Sequence, residues 1–154
     1  MEVFENVSYE AKNLISYRGK HAQEEMQSVL MRLYNHAEAN GAKKNGHVIT
    51  ITYSVDKAAG ITDTQMLIPL DKEIKADSSN YFEFIPVFSI TDCLVAKHKG
   101  NPKLVQEAYV ALANKAQSLG CKIKMPIYSI LVNEPSPNDI ESFEMHIYAL
   151  VEAA

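Results

Sequence analysis

One order of patterns occurs twice in the chain, and this restricts the possible folds more than any single residue does. The first copy opens with a strand-like segment from about Val7 to Arg18, closed by Gly19. Ala22, Met26, Val29, Leu30, Leu33, Tyr34 and Ala37 then recur at helical spacing up to Asn40-Gly41, where glycine accepts the left-handed conformation that ends a helix. HVITITYSV, His47 to Val55, is β-branched and alternating, and TQMLIPL, Thr64 to Leu70, returns as a further strand. The order is β-α-β-β.

The second copy repeats it. The segment from Tyr81 to Gly100 is strand-like, with Pro86 predicting an edge or a bend. Asn101 suits a helix N-cap and Pro102 a first helical residue, and Leu104, Val105, Ala108, Tyr109, Leu112, Ala113, Ala116 and Leu119 form an apolar stripe ending at Gly120. PIYSILV, Pro126 to Val132, and SFEMHIYAL, Ser142 to Leu150, are the closing strands. Gly41 and Gly120 lie at an offset of 79 (120 minus 41), which also sets Gln65 on Glu144 and Ile68 on Ile147. A single α+β domain over residues 1–154 is predicted, with pseudo-repeats about 7–71 and 81–152 and a polar connector at 72–80. Each helix covers one apolar sheet face. The two halves are expected to join in one antiparallel sheet, with both helices on one face and a concave cleft on the other.

Charge narrows the partners. The net charge of −4 argues against nucleic acid, which demands a dense Lys/Arg footprint. The N-terminus, MEVFENVSYE, lacks the basic and apolar regions of a signal peptide, and no apolar run is long enough for a membrane span, so a cytoplasmic protein is expected. Cys93 and Cys121 stand far apart, which reads as two reduced thiols. His21, His36, His47, His98 and His146 show no metal-binding spacing, so neither a metal nor a cofactor is expected. SYRGKHA and KHKGNP read as tight strand-to-helix turns and not as phosphate loops.

The segment from His98 to Gly120, with its His-x-Gly element, helix and glycine stop, resembles the corresponding part of GyrI-like effector-binding domains. PIYSILV is similar to that family's Pro-x-Tyr-Glu-x-Tyr strand, and SFEMHIYAL to its closing strand. The resemblance spans nearly the whole chain. It implies a ligand-binding module for hydrophobic, often cationic molecules, of a kind found attached to transcription regulators or alone. No helix-turn-helix segment accompanies it here, so a stand-alone member is expected. Three positions depart from the family pattern. Tyr128-Ser129 replaces Tyr-Glu, Tyr148 stands at the closing proline, and Lys115 lies near the usual tryptophan.

Strand parity assigns the candidate site. Phe143, Met145, Ile147 and Ala149 share an apolar face, which leaves Glu144, His146, Tyr148 and Leu150 on the other. Gln65, Leu67 and Pro69 are the first-half equivalents. Thr50, Thr52, Ser129 and Leu131 are expected to point the same way as Glu144, with Tyr17 and His98 at the rim and Tyr128 in the core or an interface. Glu144, His146, Tyr148, Ser129, Gln65 and Tyr17 are therefore the expected ligand contacts, with no catalytic residue among them. The leading reading is a small-molecule-binding protein that is not an enzyme. A second is a hydrolase in which Glu144 and His146 activate water. A third is an inhibitor of a protein partner, as in the gyrase-inhibiting relatives. The sequence leaves open a protein partner or a homodimer.

Overall fold

In the computed structural model, which describes residues 1–154, the first half of the chain runs β1 (Val3–Ala22), α1 (Met26–Ala39), β2 (Val48–Asp56) and β3 (Ile61–Pro69). The second half runs β4 (Phe82–Lys99), α2 (Gln106–Ser118), β5 (Cys121–Asn133) and β6 (Glu144–Ala153). The expected duplicated β-α-β-β order of an α+β fold is therefore present. Both helix stops fall on the repeated glycines, Gly41 at φ 75° and Gly120 at φ 72°. Asn101 caps as expected, accepting from the Lys103 amide at 3.0 Å, although the first turn, Pro102–Leu104, is 3₁₀ before α2 begins.

The chain divides into two units, Tyr9–Ser89 and Met1–Ser8 with Ile90–Ala154. In the unit Tyr9–Ser89, β3 lies between β1 and β2, antiparallel to both, pairing Arg18 with Gln65 and Gln65 with Ile51. α1 buries Val29, Leu30, Leu33 and Ala37. It lies on the sheet side that carries Tyr17 and Thr64, since Arg32 sits over the Tyr17 ring and the Thr64 hydroxyl reaches Met26.

In the other unit, β6 lies between β4 and β5, again antiparallel to both. Ala108, Leu112 and Ala116 of α2 pack on Leu94, Ala96, Ile147 and Ala149. The small side chains at Ala108 and Ala116 bring the helix close to the sheet, and Leu112 fills the space between them. The N-terminal segment belongs here: Val3 packs on this cluster and Glu5 pairs with Lys115 at 3.5 Å.

β1 extends beyond the expected Val7–Arg18, over 20 residues, and β4 covers 18 residues within the expected Tyr81–Gly100. Strands of this length bend at irregular residues, and Asn6, Asn13 and Asp92 adopt φ of 54°, 57° and 55° within them. Asn and Asp tolerate this left-handed region better than other side chains with a Cβ. The connector is more ordered than its polarity suggests. Ile74, its apolar residue, is buried. Asp77 accepts from the Ser79 amide, the Ser79 hydroxyl and the Asn80 side chain, which folds residues 78–80 into a 3₁₀ turn. No helix is long and apolar enough to cross a membrane.

Candidate functional site

β6 displays the two faces that alternation predicts. Ile147 and Ala149 lie under α2 with Met145 packed beside them, while Glu144, His146 and Tyr148 occupy the opposite face. Directly opposed residues of antiparallel strands share a face. The register therefore adds Lys97 and Lys99 from β4, facing His146 and Glu144. From β5 it adds Ile130 and Tyr128, facing His146 and Tyr148.

On this face the His146 Nε2–H donates to Glu144 Oε2 at 2.6 Å, with the two side chains only 17% and 26% exposed. A short bond in a shielded place fixes both rotamers and aims the remaining carboxylate oxygen. Lys97 does not neutralise the carboxylate in the structure. Its ammonium sits 4.8 Å from the centre of the Phe4 ring, on the N-terminal segment. The face formed by β4, β6 and β5 thus carries a carboxylate, an imidazole, two tyrosines and the exposed Lys97 and Lys99. No group of three or more His, Cys, Asp or Glu side chains is placed to hold a metal ion.

Cross-strand facing departs from the parity expectation in both halves. Ser129 lies opposite Ile147 and Leu131 opposite Met145, so both belong to the α2 side, and Ser129 is buried there. Thr50 lies opposite Met66 and Thr52 opposite Thr64, on the α1 side and away from Gln65. Tyr128 shares its face with Ile130, as its parity predicts, and that face is the one bearing His146 and Tyr148. The physical reason is register. A slip of one residue exchanges the faces of a whole strand, and β5 has irregularities between Lys124 and Ile127 and between Leu131 and Asn133. Pro126 inside β5 is the sequence signal for the first of these.

Gln65, the counterpart of Glu144, is held in a chain of hydrogen bonds. The Tyr53 hydroxyl donates to Gln65 Oε1 at 2.7 Å, and Gln65 Nε2 donates to Ser16 Oγ at 2.7 Å. Arg18 stacks on Tyr53, its Cζ 3.6 Å from the ring centre, and pairs with both carboxylate oxygens of Asp63 at 3.3 and 3.1 Å. The Arg18 hydrogen bond holds the Asp63 carboxyl below its ordinary value of 3.8. A depressed carboxyl pKa stabilises the fold above the unfolded value, and that contribution disappears as pH falls through the folded value. Acid titration of stability should therefore show a component below about pH 4 that Asp63→Asn removes, read by urea unfolding at pH 7 and pH 3. An unchanged difference between the two pH values would exclude this role.

Tyr17 lies on the helix-covered side of its own sheet, and His98, opposite Met145, lies on the α2 side of its sheet and away from Glu144. The Tyr17 hydroxyl is 2.9 Å from His21 Nε2, on the α1 side with Arg32. His98 is buried, and its Nε2–H donates to the Asn101 carbonyl at 2.9 Å. Gly19 is what admits the Tyr17–His21 pair: a Cβ there would stand 2.7 Å from the Tyr17 hydroxyl and 2.9 Å from His21 Nε2. Gly19→Ala should force one ring aside and destabilise the protein by about 1–3 kcal/mol, the usual cost of overpacking. Thermal melting checks this, and an unchanged melting temperature would show that the Tyr17–His21 pair yields without cost.

No family model matches the chain, and no curated protein matches it in sequence. Solved structures do match it in fold. The duplicated β-α-β-β architecture is shared with several solved structures, a distant likeness of fold. The C-terminal domain of EcmrR superposes with a TM-score of 0.72 at 15% identity, over 100% of both chains. EcmrR bound to DNA gives the same score and identity over 99% of this chain and 58% of that one, so the chain spans little more than half of the longer protein. A hydrolase from Listeria innocua matches at TM-score 0.67 and 14% identity, over 98% of this chain and 91% of its own. SAV2435, solved bound to tetraphenylphosphonium, matches at 0.53 and 13%, over 98% and 93%. At these identities the likeness is one of fold.

Proposed function

We propose that the protein binds a small hydrophobic cation and that Glu144 is the group that recognises its charge, in a role that is regulatory and not catalytic. The observation that carries this reading is the short, shielded Glu144–His146 hydrogen bond on a face that also bears Tyr148 and Tyr128. The imidazole N–H occupies one carboxylate oxygen and orients the other. A carboxylate in such a partly dry place attracts a cation more strongly than one in bulk water does. The tyrosine rings supply apolar contact and cation–π attraction, about 0.5–2 kcal/mol per contact. Gln65 marks the equivalent position in the first half, where a neutral amide replaces the charge. Ser129, on the α2-covered side of its sheet, would support the strands behind Glu144 without touching the ligand. The presence of tetraphenylphosphonium in SAV2435 makes that compound a suitable probe. Added at a hundred times its dissociation constant, it should stabilise the protein by about 2.7 kcal/mol and raise the melting temperature accordingly. No shift at saturating solubility, with this cation or with smaller quaternary ammonium ions, would remove the proposal.

The same hydrogen bond favours a second reading. A carboxylate that orients an imidazole is an arrangement able to draw a proton from water, and a hydrolase shares the fold. Turnover of an epoxide or an activated ester, lost in both Glu144→Ala and His146→Ala, would establish it. Turnover that survives both substitutions would place any hydrolysis elsewhere.

A further inference from the structure

The unit Tyr9–Ser89 contains a cavity of about 320 Å³ lined by Ser16, Arg18, Gln65, Tyr81 and Glu83. All five lining residues carry polar groups, in a protein whose other sheet positions nearby are Leu14, Ile15 and Leu67, each fully buried. Ser16 itself is only 1% exposed. A polar side chain in such a place is tolerated where its hydrogen bonds are satisfied, and here they also aim it.

Three of the lining residues, Ser16, Arg18 and Gln65, offer donors. Tyr53 donates to Gln65 Oε1, which turns Gln65 Nε2 toward Ser16. Ser16 Oγ accepts that bond and keeps its own proton to donate. Arg18 gives Nε–H and one Nη2–H to Asp63, so three of its five N–H groups stay available. Stacking on Tyr53 and the two-point grip of Asp63 hold the guanidinium in place before any ligand arrives. Preorganised donors of this kind suit a carboxylate.

The other two lining residues, Tyr81 and Glu83, have the opposite character. Glu83 is exposed, and Arg18 is committed to Asp63. Tyr81 is 76% exposed and adopts φ 61°, a conformation rare for an aromatic residue. Its position is set from both sides, by the Asp77 hydrogen bonds of the preceding turn and by the buried Phe82, whose ring meets Tyr17 and His36. A carboxylate beside an aromatic ring suits an ammonium group.

We propose that this cavity binds a small zwitterion, its carboxylate on Arg18, Ser16 and Gln65 and its ammonium against Glu83 and Tyr81. The volume equals that of about ten water molecules, which limits the ligand to a short amino acid or a compound of similar size. The site does not depend on the reading of Glu144, and its probes and reporting residues are different. Amide-resolved NMR of the full chain, titrated with 4-aminobutyrate, butyrate and butylamine, tests it. 4-Aminobutyrate should shift residues 16–18, 65 and 81–83 and bind about tenfold more tightly than either single-charge analogue. Glu83→Gln should reduce its affinity to that of butyrate. Ser16→Ala, which removes a donor without adding bulk, should weaken 4-aminobutyrate and butyrate and spare butylamine. Equal affinity for butylamine and 4-aminobutyrate, shifts confined to other residues, or no shift at about 10 mM, above the millimolar limit of weak specific binding, would overturn the proposal.

Discussion

Ile147→Ala should destabilise the protein by about 2–5 kcal/mol, the range for deleting a large aliphatic side chain from a packed interior. Ile147 is fully buried on the central strand of its sheet, between Ala96 and Ser129 on the neighbouring strands and beneath Ala108, Leu112 and Ala116 of α2. Two of those helical residues are already alanines, so the helix can hardly move closer to fill the void. A large share of the cavity cost should therefore remain, and the urea midpoint should fall with little change in slope. Leu104→Ala, at a residue 49% exposed, should change stability by no more than about 0.5 kcal/mol. Equal losses at the two positions would mean that the α2–β6 contact is not the centre of this core.

Glu144→Gln should weaken tetraphenylphosphonium binding about tenfold while leaving the melting temperature of the free protein nearly unchanged. Hydrogen bonds and contacts to charged groups contribute about 1.5–3 kcal/mol, and partial exposure of this carboxylate places the effect at the lower end. Glutamine keeps the shape and can still accept from His146, so the substitution isolates charge from packing. His146→Gln should cost less if, as proposed, the imidazole orients the carboxylate and does not itself meet the cation. Calorimetric titration of both variants separates the roles. Equal affinity in Glu144→Gln would show that the carboxylate does not recognise the charge. A larger loss for His146→Gln would reverse the assignment.

Much of the architecture was legible because it depends on local chemistry. The glycines at 41 and 120 end helices for a reason internal to their own residues, as does the Asn101 cap. The alternation of β6 and the Ala108, Leu112 and Ala116 part of the α2 stripe follow from the periods of strand and helix alone, whereas Leu104 and Leu119, read into the same stripe, are exposed. The Glu144–His146 hydrogen bond was foreseeable on the same basis, since residues two apart on a strand share a face. Tyr53, Ser16 and Arg18 were missed around Gln65. Their grouping requires the pairing of β1 with β3 and β3 with β2, and no single segment states that pairing.

Ser129 shows where the boundary lies. Its parity within β5 was correctly read as opposite to that of Tyr128 and Ile130, yet which of the two sets meets Glu144 depended on register against β6. The sequence by itself determined the order of elements, their stops and the two-sidedness of each strand, because these arise from backbone sterics and periods that act over a few residues. Only the tertiary structure decided which faces meet, that Arg18 stacks on Tyr53 and that Gly19 makes room for Tyr17 and His21. Those outcomes come from hydrogen-bond registers and bulges between distant segments, where a shift of one residue reverses every side chain.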